Sequence, residues 1–188
     1  MTTARREEIL EAALKVFAER GFRGASFDVV AERAGLTRQG VLHYFPSKKK
    51  LLAGVLRFRE EVHREHLAGA YTEEDLPSLL AEVVVFDHSM PALAQTYTRL
   101  LAEGAVQDDP VWTDVQDYNL ALQEYVEERL GARYGERLPS GLSLRAAAMA
   151  LLALLAGLQE RWMFDQREAD YPEIMREVFS ILLGSAPV

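Results

Sequence analysis

The chain has no cysteine, and that absence excludes a disulfide framework, a zinc–thiolate site and a thiol nucleophile. Glycine and proline are sparse, 12 and 7 of 188 residues, which rules out collagen-like and low-complexity chains. Hydrophobic residues make up 49% of the sequence instead, enough for a packed core. Sustained period-two alternation bounded by turn residues is missing, so the expected fold is all-α. Long apolar runs are missing too. The longest, Ala146 to Gly157 (AAAMALLALLAG), falls short of the roughly 20 residues that span a bilayer and reads as a buried helix, so no membrane association is expected. The opening MTTARREEILEAALKVFAERG is charged and amphipathic with no apolar signal segment, and a cytoplasmic location is expected. No Ser-His-Asp order, paired-carboxylate context, phosphate loop or dinucleotide fingerprint stands out; the expectation is a non-enzyme with no catalytic residues, no cofactor and no metal. His63 and His66 stand three apart near Glu60, a spacing that can share a metal ion, but solvated surface histidines are the expected reading, with His88 at unknown proximity.

Positive charge is in deficit overall, with 21 Lys/Arg against 29 Asp/Glu and a net charge of −8. A uniform chain of that charge would repel nucleic acid, but this one is lopsided. Residues 1–50 hold ten Lys/Arg and six Asp/Glu, net +4, whereas residues 51–188 hold eleven and twenty-three, net −12. A basic end on an acidic body localises phosphate attraction to the N-terminal module; chance clustering of solvated charges is the alternative. The acidic body suits a cationic ligand, or more simply solubility.

The periodic segments read as about nine helices. The first runs from about Thr3 to Arg20, with Ile9, Ala13, Val16 and Phe17 on one face and Gly21 as its left-handed stop. Ser26 caps a short helix from Phe27 to Ala34, in which Val29 and Val30 point at the core and Asp28 complements the helix dipole. Gly35 ends it. Leu36 anchors the turn, Thr37 caps a third helix from Arg38 to about Phe45, and Pro46 stops that helix. Ser47 caps a long helix from Lys48 to about Tyr71. Helices then follow from Glu73 to His88, Pro91 to about Val106, Asp109 to Tyr134, about Leu144 to Phe164, and Tyr171 to Leu183, with a loop at Gly135 to Ser143.

The front three helices have the organisation of a DNA-reading helix-turn-helix: a supporting helix, a Gly-containing turn, and a second helix for the major groove. In the third helix Val41 and Phe45, four apart, face inward with Leu36. Arg38, Gln39, His43 and Tyr44 are left on outward or lateral faces. Arg38 can fork onto guanine O6/N7 or a phosphate, and Gln39 can pair with adenine N6/N7. Gly40 implies close backbone approach to the DNA or to the first helix, or is a plain tolerated glycine. Ser26, Thr37 and Lys48 sit at helix N-termini, where amides and the dipole favour a phosphate; Ser26 and Thr37 also serve as caps, and Ser47 reads as a cap alone.

At these residues the chain resembles the tetracycline-repressor (TetR) family of bacterial transcriptional regulators. The resemblance covers Arg6 to Leu56, REEILEAALKVFAERGFRGASFDVVAERAGLTRQGVLHYFPSKKKLLAGVL, and rests on the ILEAALKVFAERG, S-F-x-x-V-A-x-x-A-G-L and H-Y-F-P-S-K elements in order. It implies a helix-turn-helix DNA-binding domain at 1–47 and a helical ligand-binding and dimerisation domain at 48–188. It also implies an Ω-shaped homodimer that reads a palindromic operator and is released by a small-molecule inducer. Carried onto this sequence, the DNA-contacting positions are Ser26, Thr37, Arg38, Gln39, Gly40, His43, Tyr44 and Lys48. The chain departs at Leu42, where members often have tyrosine, and at Gly40, where threonine is common, so neither position offers the hydroxyl of those members.

In the body, small residues Ala146, Ala147, Ala150, Ala153 and Gly157 would let the Leu144–Phe164 helix approach a two-fold mate; a core helix within the monomer is the alternative. An inducer pocket would be lined by apolar and aromatic residues, for which Phe58, Val62, Phe86, Met90, Tyr97, Trp112, Tyr118, Leu122 and Trp162 are candidates, each equally an ordinary core residue. The leading expectation is a DNA-binding repressor. A small-molecule binding protein, or a ligand-dependent activator on the same scaffold, stands as the alternative.

Overall fold

The computed structural model describes residues 2–67, 76–104, 110–164 and 171–184. Among them the chain forms nine helices: α1 (Thr2–Gly24), α2 (Phe27–Arg33), α3 (Arg38–Tyr44), α4 (Lys48–Leu67), α5 (Leu76–Ser89), α6 (Pro91–Gly104), α7 (Pro110–Tyr134), α8 (Leu144–Phe164) and α9 (Tyr171–Leu183). The fold is all-α. The expected helix ends at Tyr71 and Val106 and starts at Glu73 and Asp109 lie outside the described residues.

The helices group into two compact units, one built from Met1–Glu65 and Met90–Gln116, the other from His66–Ser89 and Asp117–Val188. In the first, α1 buries Ile9, Leu10, Ala13, Val16 and Phe17, the one-sided stripe that its spacing calls for. α2 and α6 pack on α1, and the same unit buries Val30 and Ala31 of α2, Val41 and Phe45 around α3, Leu51, Leu52 and Val55 of α4, and Leu93, Ala94 and Leu100 of α6. Gly54 sets how closely α4 can approach: a Cβ there would lie 2.8 Å from the Phe45 ring and 2.9 Å from Leu10. Val29, expected to face the core beside Val30, is only half-buried. Successive residues of a helix are about 100° apart, and α2 turns the adjacent pair Val30 and Ala31 inward, which leaves Val29 at the edge of the buried face.

Gly21 breaks the regularity of α1, as its stop position requires, but the helical path resumes to Gly24 instead of ending. Its φ of 69° and ψ of 179° are glycine-only backbone, and a Cβ there would sit 1.6 Å from Glu103 Oε1 of α6. Glu103 occupies that space because it accepts the N–H groups of Phe22 at 2.9 Å and Arg23 at 3.4 Å.

The second unit has its own core. α9 presents Tyr171, Met175, Phe179 and Leu183 at four-residue intervals, packed with Ala81 and Val84 of α5, Leu130 of α7, and Ala147, Ala148 and Leu151 of α8. The 135–143 loop closes on itself: Leu138 N–H donates to Leu142 O at 3.0 Å, Gly141 N–H to Leu138 O at 2.8 Å, and Leu138 is buried.

Candidate nucleic-acid interface

α2 and α3 owe their starts to hydroxyl caps. Ser26 Oγ accepts the Val29 N–H at 3.3 Å, and Thr37 Oγ1 accepts the Gly40 N–H at 3.1 Å; each satisfies one amide that the helix itself cannot. Between them Gly35 takes φ 63°, letting Leu36 N–H return to Ala31 O at 2.8 Å. The result is a tight turn. α3 is pinned from inside by Val41 and Phe45, 0% and 3% exposed. Arg38, Gln39 and His43 are exposed, and Gly40, Leu42 and Tyr44 half-buried. His43 meets Tyr44 edge-on, ring centres 5.4 Å apart. The surface that α3 leaves outside the core therefore carries a guanidinium, a carboxamide, an imidazole and part of a phenol, the donors and acceptors that read base edges and phosphates.

Three placements refine the sequence reading. Nothing of α1 lies near Gly40: a Cβ there would meet only Thr37 Oγ1 at 3.4 Å and Leu36 Cβ at 3.8 Å. Close packing on the first helix is thus not why a glycine stands there. Lys48, expected to face phosphate, donates to Ala25 O at 2.7 Å and Arg23 O at 3.3 Å and lies 4.5 Å from the Phe22 ring centre. Its ammonium ties the start of α4 to the link between α1 and α2. Ser47 does cap α4, accepting the Lys50 N–H at 3.1 Å.

Sequence reasoning missed two groups. Arg6 of α1 lies over the Phe45 ring at 5.2 Å, adding a cation beside the end of α3. α6 also grips α1: Thr96 Oγ1 donates to Leu14 O at 2.8 Å, Arg99 to Glu19 O at 2.9 Å and Ala18 O at 3.3 Å, and Glu103 takes the amides after Gly21. Their spacing of three to four was visible in the sequence as one helical face; their partners, some 80 residues away, were not.

The other candidate residues scatter. In the first unit Phe58 and Val62 are half-buried, Met90 is 41% exposed, and Tyr97 carries the Arg59 guanidinium 4.8 Å from its ring centre. In the second, Tyr118 and Leu122 are half-buried, Phe86 stacks on His66 at 3.9 Å, and Trp162 stacks on His88 at 3.8 Å and lies parallel to Tyr171 at 5.6 Å. The side chain of Trp112 lies outside the described residues. His63 and His66, expected to be solvated surface residues, are partly so, and each also has a hydrogen-bonding neighbour. His63 Nδ1 is 2.8 Å from Arg59 O of its own helix and His66 Nε2 2.9 Å from Glu82 Oε1, and both residues are half-buried. Of the small residues on α8, Ala146, Ala153 and Gly157 are exposed and Ala150 half-buried, but Ala147 is 0% exposed inside the monomer core and has no surface to offer a mate.

A capped helix-turn-helix with an exposed polar reading face, in an all-α chain, defines a DNA-binding transcriptional regulator. Residues 9–55 match the profile of "Bacterial regulatory proteins, tetR family". The chain is 28% identical to the HTH-type transcriptional regulator AcrR of Shigella flexneri over 192 residues, 95% of this chain and 87% of that one. It is 30% identical to ArpR of Pseudomonas putida, described as a probable HTH-type transcriptional regulator, over 175 residues, 84% and 80% of the two chains. Its fold is similar to that of a Rhodococcus sp. protein assigned to the TetR-family regulators, TM-score 0.77, 22% identity, covering 96% and 99%. The chain belongs to the TetR family. No helix among the described residues is long and apolar enough to cross a membrane.

Proposed function

We propose that the chain is a homodimeric repressor in which residues 1–47 read a palindromic operator and residues 48–188 supply the dimer contact and an inducer site. The observation that carries this reading is the α3 face, on which Arg38, Gln39 and His43 are exposed while Val41 and Phe45 fix the helix behind them. Arg38 and Gln39 read bases, His43 and Tyr44 contact the groove edge, and Ser26 and Thr37 bracket the phosphates, while Lys48, held by the Ala25 and Arg23 carbonyls, braces the start of α4 behind them. Gly40 admits the DNA backbone closely.

Dimerisation is supported by apolar side chains that α8 and α9 leave in solvent: Met149 at 53%, Ile174 at 39% and Ile181 at 62%, beside exposed Ala146, Ala153 and Gly157. Such a face suits an isologous contact. Family regulators generally bind small-molecule ligands as well as operator DNA, and half-buried Phe86, Tyr118, Leu122 and Trp162 are the residues to probe for an inducer. An inducer acts by binding the DNA-competent and DNA-incompetent states unequally.

The test is selection of random duplex DNA on the purified protein at several salt concentrations, with sequencing of the retained fraction. A two-fold symmetric motif is expected; no enriched sequence at any salt would overturn the reading. Arg38→Ala should weaken operator binding by ~1–3 kcal/mol and flatten preference at one position of each half-site.

A further inference from the structure

Asp28 is an odd residue to find where phosphates are to be bound. It stands two residues after the Ser26 cap, its side chain 68% exposed, and its Oδ2 lies 3.8 Å from Arg38 Nη1 of α3, itself 61% exposed. A carboxylate there repels DNA. Its place in the first turn of α2 complements the helix dipole, but Glu or Asp elsewhere in that turn would do so without approaching the reading helix.

We propose that Asp28 is a specificity-determining residue that aims Arg38 at a base edge. The separation is that of an ion pair and longer than a hydrogen bond, so in the free protein, with both groups in water, the attraction is weak and leaves the guanidinium mobile. Docking on DNA removes that water and strengthens the pair. A guanidinium presents five N–H groups in a fixed plane, so one edge can face Asp28 while the other meets guanine O6 and N7. The same carboxylate penalises the competing geometry, in which Arg38 swings to a phosphate, because the phosphate oxygens would then stand beside the Asp28 oxygens. Asp28 thus lowers affinity for DNA at large and raises discrimination at one base pair, a repulsive element that serves selectivity.

The inference rests on the reading of Arg38 as a base contact, and the experiment separates the two. Wild type, Asp28→Asn, Arg38→Ala and the double variant are carried through the duplex selection and then titrated, at two salt concentrations, against the selected operator, single-position variants and unrelated duplex. For Asp28→Asn we expect tighter binding to unrelated duplex and a loss of discrimination at the Arg38 position of about fivefold or more. In the Arg38→Ala background the same substitution should leave base preference unchanged. If Arg38→Ala itself alters no base preference, the parent reading fails. If Arg38→Ala does so while Asp28→Asn shifts only the melting temperature, Asp28 serves the α2 dipole alone and the proposal is overturned.

Discussion

The two ends of the chain make opposite demands on their surfaces. In α2 and α3 the exposed residues are polar and the buried ones few, with only Val30, Ala31 and Val41 buried within the two helices. In α8 and α9 the exposed set includes Met149, Ile174 and Ile181 and the buried set is large. A helix pair that meets DNA keeps its hydrogen-bonding groups outward and relies on caps for its short helices. A pair that leaves apolar area in water points to a protein surface as its partner. The comparison predicts where substitutions act on stability, where on binding, and where on both.

Core truncation gives the largest effect and the baseline. Phe17 and Phe179 are each 0% exposed, one in each compact unit. Phe17→Ala and Phe179→Ala should each cost ~3–5 kcal/mol in urea unfolding. A small loss at either would mean that the site collapses around the cavity and that the corresponding core is looser than its burial indicates.

Gly21→Ala follows. The backbone there is one that only glycine adopts readily, and the new Cβ would meet the Glu103 carboxylate. A loss of about 1–3 kcal/mol from the backbone alone is expected, with faster amide exchange at Phe22 and Arg23, whose N–H groups Glu103 accepts. Glu103→Gln retains an acceptor and should cost less. Equal losses for the two variants would locate the effect in the carboxylate instead of the glycine.

Gly40→Ala divides stability from binding. An alanine Cβ meets nothing closer than 3.4 Å, so the helix should gain ~0.5–1 kcal/mol. If DNA approaches Gly40 closely, operator affinity falls while the melting temperature rises. A variant that is both more stable and fully competent to bind would mean the glycine is merely tolerated.

The contrast also explains what could be read from the sequence. Ser26, Thr37, Gly35 and Pro46 act over one turn of chain, so their caps and stops lie in the residues themselves, and the head and its reading face were legible. α8 and α9 were legible as elements, because their apolar repeats run for many turns. Contacts across 34 to 82 residues were not: the Arg59 guanidinium bonding Leu93 O, Thr96 reaching Leu14 O, and Ala147 facing inward where its neighbour Ala146 faces out. Small size marks a residue that allows close approach, whether the approaching helix belongs to the same chain or to another. Lys48 shows the same limit in the head: its type and position suit a phosphate, yet the carbonyls of Arg23 and Ala25 lie within its reach.

The smallest expected effect comes from an ion pair in the head, Glu19 with Arg33. Arg33 of α2 donates to both carboxylate oxygens of Glu19 on α1, at 2.6 and 2.8 Å. Those hydrogen bonds, with the guanidinium charge behind them, hold the Glu19 carboxyl below the usual carboxylate range. A group whose folded pKa is depressed adds stability that is present above its unfolded value and lost as pH falls through the folded one. The pair should therefore help hold α2 to α1 at neutral pH and let go in acid below the ordinary glutamate range. Because Glu19 is half in water, the effect is screened by salt. Melting temperatures of the wild type and Glu19→Gln, measured from pH 7 down at low and high salt, should converge as pH falls and lie closer at high salt throughout. Curves that stay parallel would mean that the bidentate contact adds nothing to the α1–α2 junction and that the apolar packing of Val30 and Ala31 carries it alone.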